Sequence, residues 1–158
     1  MTGIDPDMFF DTDGRVYVLG TFGGGDDPLT YDPVTEPDPS GGIGGCWIQE
    51  IDLARGLLIG PVYDTGARGP MLEGPHLYFV HNRFYMMAAV GGTGDQHSEY
   101  MFAHPGPAAT VHEMLHSNTF PMFVGGHHNP IISARQFDDY GNWGHAVGHA
   151  DLVQTHLG

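Results

Sequence analysis

One short pattern occurs three times along the chain, and its spacing limits the folds that this sequence can adopt. Each copy places a titratable residue just before a strand-like apolar run, and the three residues are Asp5, Glu73 and His149. They are separated by 68 (73 − 5) and 76 (149 − 73) residues. Internal repeats point to repeat architectures, and four-stranded units arranged around an axis form a β-propeller. Because the first strand of each unit then lines the central channel, we expect these three side chains to converge at one mouth of it.

Hairpin signals support an all-β fold. Turn residues separate paired apolar runs, as at Asp11-Thr12-Asp13-Gly14, Ala54-Arg55-Gly56 and His81-Asn82. The 25 glycines and 12 prolines are spread between aromatic-rich runs, and helical periodicity is hard to find. We therefore predict a single domain over residues 1–158, a partial five-bladed propeller of about two blades and the start of a third.

The predicted strands follow from these turns. They are Met8–Phe10 with Val16–Leu19, Cys46–Asp52 with Leu57–Ile59, His76–Val80 with Phe84–Ala88, then Glu99–Ala103 and His149–Val153. We expect a long loop from Gly23 to Gly45, because this stretch is rich in Gly, Asp and Pro. The stretch Pro105 to Gly126 is hard to assign, and a short helical or an irregular excursion is expected in part of it.

Charge excludes two classes of partner. The formal net charge is −14, with only five Lys and Arg, so no basic cluster is present to bind nucleic acid or an anionic membrane. A neutral sugar is compatible with such a surface. The single cysteine, Cys46, is expected to be a buried, inert thiol. No signal peptide is visible, and the localisation, cytoplasmic or secreted, stays open.

Two carboxyl groups suit one chemistry. Glycoside hydrolysis needs a carboxylic acid that protonates the leaving oxygen and a carboxylate that activates water or attacks. Glu73 follows Gly69-Pro70-Met71-Leu72 and precedes Gly74-Pro75, an apolar and rigid surround, and Asp5 stands at the matching point of the preceding unit. On the residues alone, an Asp before Pro or a Glu before Gly-Pro is usually an ordinary turn residue.

Several segments together resemble family 43 glycoside hydrolases, which are five-bladed propellers. Gly3-Ile4-Asp5-Pro6-Asp7-Met8 resembles the segment whose aspartate tunes and orients the general acid, and Glu73-Gly74-Pro75-His76-Leu77-Tyr78 resembles the segment that carries that acid. Gly91-Gly92-Thr93-Gly94 with His97-Ser98 is similar to the loop that follows. Gly148-His149-Ala150-Asp151-Leu152-Val153 resembles the strand whose histidine, in some members, helps to hold calcium, partly through water.

The resemblance implies a β-xylosidase or α-L-arabinofuranosidase type of enzyme, active in hemicellulose breakdown on xylo- or arabino-oligosaccharides by an inverting mechanism. It assigns Glu73 as the general acid and Asp5 as its modulator. The family's general base lies on a first blade that has no counterpart in this chain, so we expect the chain alone to be inactive. A non-catalytic carbohydrate-binding or interaction propeller is the alternative.

The remaining candidates concern binding. His76, His97 and Phe22 are the predicted substrate-binding residues and His149 the predicted metal ligand, with no cofactor required apart from a possible structural calcium. For the rings that could stack on a sugar, which are His76, Tyr78, Phe22 and Trp143, packing between blades is the competing explanation. The other histidines, including the His127-His128 pair and His145, lack zinc-site spacing and favour solvated loops.

Overall fold

Two antiparallel sheets make up nearly all of the secondary structure. A computed structural model describes residues 5–22, 43–92, 97–133 and 147–153. The first sheet contains four strands that pair in chain order: β1 (Asp7–Phe10), β2 (Val16–Phe22), β3 (Ile43–Asp52) and β4 (Leu57–Pro70). This meander is one propeller blade, with β1 as its innermost strand and β4 as its outermost.

The second sheet repeats this design with one variation. Its strands β5 (Glu73–Val80), β6 (Arg83–Val90) and β7 (Ser98–Ala103) also pair in chain order. The fourth position is shared by two short strands that both pair with β7, namely β8 (Val124–Gly125) and β9 (Ile132–Ser133). The all-β prediction is confirmed, and the two sheets correspond to two blades of the predicted partial propeller.

The predicted hairpin turns form for the expected reasons. Gly14 closes the β1–β2 turn with a φ of +85° and donates its N–H to the Asp11 carbonyl at 3.1 Å. His81 and Asn82 connect β5 to β6 with φ values of +50° and +59°. Two consecutive positive φ values match the two-residue turn that suits the twist of a hairpin.

The core lies between the two sheets. Leu19 and Ile48 are a cross-strand pair of the first sheet, and Leu77 and Met86 are one of the second; all four belong to a single buried cluster. Met86 and Met87 are buried as predicted, and so is Cys46, whose thiol pKa is raised by burial. The alternate side chains of the first sheet, such as Val18 and Trp47, form a separate small cluster on its other face.

Three sequence predictions need correction or fall outside the described residues. Most of the predicted Gly23–Gly45 loop is not described, but Gly44 and Gly45 belong to β3, so the loop prediction is wrong there. A Cβ at Gly44 would lie 2.9 Å from the Leu72 nitrogen, and one at Gly45 would lie 2.4 Å from Phe22 Cζ. These glycines permit close packing within a strand. The last strand of the first sheet also continues to Pro70, well past the predicted end at Ile59.

The strand predicted at His149–Val153 does not form. Residues 147–153 contain no strand, and two of their N–H groups are bound by side chains instead. Ala150 N donates to Glu99 Oε2 at 2.8 Å, and Leu152 N donates to Tyr78 Oη at 3.0 Å. The backbone N–H groups of Ala150 and Leu152 are therefore hydrogen-bonded here without a neighbouring strand.

A short helix, α1 (Val111–Leu115), lies in the stretch Pro105 to Gly126, where a short helical or irregular excursion was expected. Thr110 caps it by accepting from Glu113 N, and Val111 N donates to the Oδ2 atom of Asp11 at 2.6 Å. Since Asp11 belongs to the β1–β2 turn, this bond joins the first sheet to the connection that follows β7. No helix among the described residues is long and apolar enough to cross a membrane.

The buried Asp11 carboxylate allows a first prediction. Asp11→Ala removes the acceptor for Val111 N, and leaving a buried N–H unsatisfied costs about 1–3 kcal/mol. We expect the free energy of unfolding, measured by urea denaturation, to fall by about that amount. Asp13→Ala is the matched control, because Asp13 Oδ1 accepts from Arg15 N in an exposed part of the same turn. Equal losses for both variants would contradict the linking role of Asp11.

Candidate active site

The innermost strands of the two blades lie side by side. Oδ2 of Asp7, the first residue of β1, is 3.4 Å from His76 Nδ1 on β5. Further along, the ring of Phe9 on β1 meets the ring of Phe84 on β6, the next strand of the second blade, edge to face at 5.9 Å. Glu73 is the first residue of β5, and Asp5 stands two residues before β1, half-buried, with a φ of +52°. The two carboxyl groups thus stand at the starts of neighbouring inner strands, and their catalytic roles stay predictions.

Glu73 is set apart from the rest of its strand by a bulge. It pairs with Ala89 whereas His76 pairs with Met87, so two residues of β5 oppose one of β6. Gly74, inside the bulge, has a φ of +57°, and a Cβ there would lie 2.5 Å from His149 Nε2. Only glycine permits both this conformation and this close approach. The third repeat residue, His149, therefore lies directly beside the segment that carries Glu73.

His97 lies next to Glu73 on another side. Its Nε2 is 4.0 Å from Glu73 Oε1, a separation too long for a hydrogen bond. The ring is buried, at 7% exposure, and its Nε2 has no hydrogen-bond partner in the part of the chain that the structure describes. A Cβ at Gly148 would lie 2.5 Å from its Cδ2. Sugar contact by His97 stays a prediction. In the structure its buried ring lies beside the Glu73 carboxylate.

Glu99 is a part of this site that sequence reasoning missed. Its side chain is fully buried, and its Oε2 accepts from Ala150 N. Burial raises the pKa of Glu99, while the N–H groups of Ala150 and His149 and the imidazoles of His76 and His149 act to lower that pKa. The carboxylate thus holds the segment that places His149 against Gly74. A charged residue at the start of a predicted apolar strand was the available signal.

Tyr78 forms a second tie to the same segment. Its hydroxyl donates to Asp151 Oδ1 at 2.5 Å and accepts from Leu152 N. The hydrogen bond lowers the pKa of Asp151, and burial raises the pKa of Tyr78. The neighbouring His76, a predicted sugar contact, faces Asp7 and influences Asp151 electrostatically.

The other predicted binding residues are not tested by these contacts. Phe22 is buried, at 4% exposure, beneath the Arg68 guanidinium, which lies 5.0 Å from its ring centroid. This placement is that of a packed side chain. Trp143 and His145 lie outside the described residues. Among the residues that are described, no three His, Cys, Asp or Glu side chains stand close enough to hold a metal ion, so the metal role of His149 stays a prediction.

Comparison with known proteins gives consistent matches along the whole chain. Residues 1–158 match the family described as Glycosyl hydrolases family 43. A xylosidase/arabinosidase of Butyrivibrio fibrisolvens is 35% identical, with 96% of this chain and 26% of the relative aligned. A beta-xylosidase of Bacillus subtilis strain 168 is 32% identical, with 98% and 25% aligned. The chain therefore spans about a quarter of the length of these relatives.

A solved structure agrees with this assignment. The crystal structure of a GH43_12 protein retrieved from a capybara gut metagenome superposes with a TM-score of 0.70 at 30% sequence identity. The superposition includes 98% of this chain and 26% of that protein. The arrangement of the two blades is thus shared with a member of the matched family.

The buried carboxylate gives a second prediction. Glu99→Ala leaves the Ala150 N–H without its acceptor and creates a cavity, so we expect unfolding to become easier by about 2–3 kcal/mol. Glu99→Gln keeps an acceptor oxygen and should lose less than about 1 kcal/mol. Urea denaturation of both variants measures the difference. If the two variants were equally stable, the hydrogen bond to Ala150 would not be what holds this segment.

The same group predicts a pH effect of defined sign. Because burial raises the pKa of Glu99, the folded protein takes up this proton at a higher pH than the unfolded chain does. The parent protein should therefore gain stability relative to Glu99→Gln as the pH falls toward the ordinary value of 4.5. Urea midpoints of the two proteins, measured from neutral pH downward, test this; a gap that shrinks or reverses on acidification would be inconsistent with it.

Proposed function

This chain belongs to glycosyl hydrolases family 43, and we propose that it carries the general acid of an enzyme that hydrolyses xylosides or arabinosides. The observation that supports the proposal most is the placement of Glu73. Glu73 is the first residue of β5, the inner strand that lies beside the inner strand β1. Its side chain is one fifth exposed and faces the buried imidazole of His97. The names of the relatives, a xylosidase/arabinosidase and a beta-xylosidase, indicate the substrate class.

In the proposed reaction, Glu73 transfers its proton to the glycosidic oxygen as the bond from that oxygen to the anomeric carbon breaks. A water molecule attacks the anomeric carbon from the opposite face, and a second carboxylate accepts the proton of that water. This second group stands roughly 6.5–9.5 Å from the acid in inverting enzymes, which leaves room for the water. The product then has the inverted configuration at the anomeric carbon.

Two residues are proposed to support Glu73 in this role. Asp5, two residues before the adjacent inner strand β1, is proposed to orient and modulate the acid, the role that the family resemblance implies. His97 Nε2, 4.0 Å from Glu73 Oε1, gives the carboxylate that remains after proton transfer a polar neighbour. Because the His97 ring is wedged against Gly148, its position depends on the segment held by Glu99.

The acceptor of the water proton is proposed to lie outside this chain. By the family resemblance, Asp5 and Glu73 account for two of three essential carboxyl groups. We therefore expect a protein consisting of residues 1–158 alone to show no hydrolysis. His76, His97 and Phe22 remain the proposed sugar contacts, and among them His76 is the most accessible by its half-buried ring.

A calcium ion at His149 fits the described residues only in part. Calcium prefers six to eight oxygen ligands, whereas His149 contributes an imidazole and no cluster of three metal-binding side chains is found among the described residues. A calcium ion there would need water or further residues. No step of the proposed reaction passes through it.

Replacing the acid gives a third prediction. In the full-length protein, Glu73→Gln should lower the rate of xylobiose hydrolysis by about 10²–10⁴-fold, the usual contribution of general acid catalysis. The loss should be much smaller for 4-nitrophenyl xyloside, whose leaving group needs little protonation. Initial rates on the two substrates measure this difference.

Asp52→Asn, at the outer β3–β4 turn, is the matched control and should keep the parental rates on both substrates. A Glu73→Gln variant that hydrolyses xylobiose at the parental rate would refute the role of Glu73. A full-length protein that binds xylobiose without hydrolysing it would favour the alternative, a non-catalytic sugar-binding propeller.

A further inference from the structure

The buried imidazole of His97 meets two parts of the chain that lie far from it in the sequence. His97 directly precedes β7, and its Nε2 atom is 4.0 Å from Glu73 Oε1 on β5. A Cβ at Gly148 would lie 2.7 Å from the same Nε2 atom and 2.5 Å from the neighbouring Cδ2. The ring edge that carries Nε2 therefore faces both the Glu73 carboxyl group and the backbone of Gly148.

This Nε2 atom has no hydrogen-bond partner in the described part of the chain, and it is closed to solvent. Buried polar atoms in native proteins are nearly always paired, so an unpartnered one calls for a role. Glu73 Oε1 lies about 1 Å beyond hydrogen-bond distance from it. Hydrogen bonds between catalytic groups are often long without substrate and shorten when substrate binds. The Glu73 carboxyl group is thus the partner within reach, and a sugar contact by His97 would need another atom of the ring.

The chemistry of a general acid decides which of the two groups donates. A protonated carboxyl group carries its proton on one oxygen, and its other oxygen can accept a hydrogen bond. If His97 Nε2–H donates to Glu73 Oε1, the proton stays on Oε2, where it is free for the glycosidic oxygen. This bond strengthens as the acid becomes a carboxylate, because hydrogen bonds to charged groups are stronger than neutral ones. An interaction that is stronger in the transition state than in the ground state raises the rate.

Gly148 is required here by space and not by backbone conformation. Its φ does not lie in the positive range, so its backbone accepts alanine. The Ser98 carbonyl oxygen would lie 3.0 Å from the added methyl, which leaves that methyl little room besides the place of the His97 ring. The segment itself is held, since Ala150 N donates to the buried Glu99 carboxylate. An alanine at position 148 would therefore displace the imidazole from its place beside the acid.

We propose that His97 is a positioning residue for Glu73, and that Gly148 keeps its ring in place by having no side chain. His97 Nε2–H donates to Oε1 and so directs the proton on Oε2 toward the substrate. When the Oε2–H bond breaks, the proton passes to the glycosidic oxygen, and the bond from that oxygen to the anomeric carbon breaks with its electron pair on the oxygen. The carboxylate that remains keeps the hydrogen bond from Nε2. This inference rests on the proposed function, in which Glu73 is the general acid.

The test measures kcat and KM of full-length variants on xylobiose and on 4-nitrophenyl xyloside. His97→Ala removes the donor, so we expect kcat on xylobiose to fall about 10–100-fold, the usual effect of one hydrogen bond to a charged group. The rate on 4-nitrophenyl xyloside, whose leaving group needs little protonation, should change little, and KM should stay at the parental value. That second rate also shows that the variant is folded. His97→Gln, whose amide N–H can take the place of Nε2–H, should recover most of the lost rate.

Gly148→Ala tests the second half of the proposal, and it should cause the same selective loss on xylobiose. In the double variant with His97→Ala the methyl has room, so it should cost nothing further; such non-additivity shows that two residues act through one interaction. Gly106→Ala is the matched control. Its added methyl would lie 3.4 Å from Nε2 of another buried imidazole, His104, which is an ordinary contact, so both rates should stay parental.

Three outcomes would overturn the proposal. Equal losses on the two substrates would mean that His97 supports the fold and not the acid, and a raised KM with parental kcat would mean that it contacts the sugar. Additive losses in the double variant would mean that Gly148 does not act through the ring. Parental rates for the His97 and Gly148 variants beside an impaired Glu73→Gln would reject the positioning role alone, whereas a parental rate for Glu73→Gln would reject the proposed function itself.

Discussion

The packing of one blade on the next determines where every candidate catalytic group lies. The cross-strand pairs Leu19–Ile48 and Leu77–Met86 meet in one buried cluster, and they fix the register of both sheets. A slip of one residue would move the buried side chains to the other face of the strand. Asp7 and His76 would then no longer face each other, and the starts of the two inner strands would lose their alignment. The positions of the candidate catalytic groups at the starts of the inner strands thus depend on apolar contacts elsewhere in the two sheets.

The close approach of two imidazole rings to glycine backbone completes the arrangement of the groups around Glu73. At Gly74 and Gly148 an imidazole ring occupies the space that a side chain would fill, and this brings His149 and His97 up to the segment of Glu73. Glu99 supplies the carboxylate that holds the last described segment in this position. Two glycines and one buried acid therefore organise groups that lie more than fifty residues apart in the sequence. A larger side chain at either glycine would displace a histidine before it affected the sheets.

Local structure, such as the hairpin turns, was predictable from the sequence, whereas contacts between residues far apart in the chain were much less so. The turns at Gly14 and at His81–Asn82 follow from residues that tolerate positive φ, so the hairpins could be placed with correct pairing. Gly44 and Gly45 were misread because a glycine required for tight packing looks like a glycine in a loop. The strand expected after Gly148 failed because side chains, and not a neighbouring strand, bind its N–H groups. The charge of Glu99 at the start of an apolar strand was visible in the sequence, but its role was not, since its partner is the backbone of a residue 51 positions away.

The divided fourth position of the second blade has a consequence for how this protein meets other chains. A long, uninterrupted outer strand offers a row of free backbone groups on which a foreign strand can grow. Here β8 and β9 each contain two residues and occupy separate parts of the outer side of β7. Neither is long enough to act as a template, and the chain between them bonds to β7 only at separate points, where Gly126 N donates to the Met101 carbonyl and Ile131 N to the Glu99 carbonyl. Among the described residues, the outer side of this blade therefore presents no long uninterrupted strand to another chain.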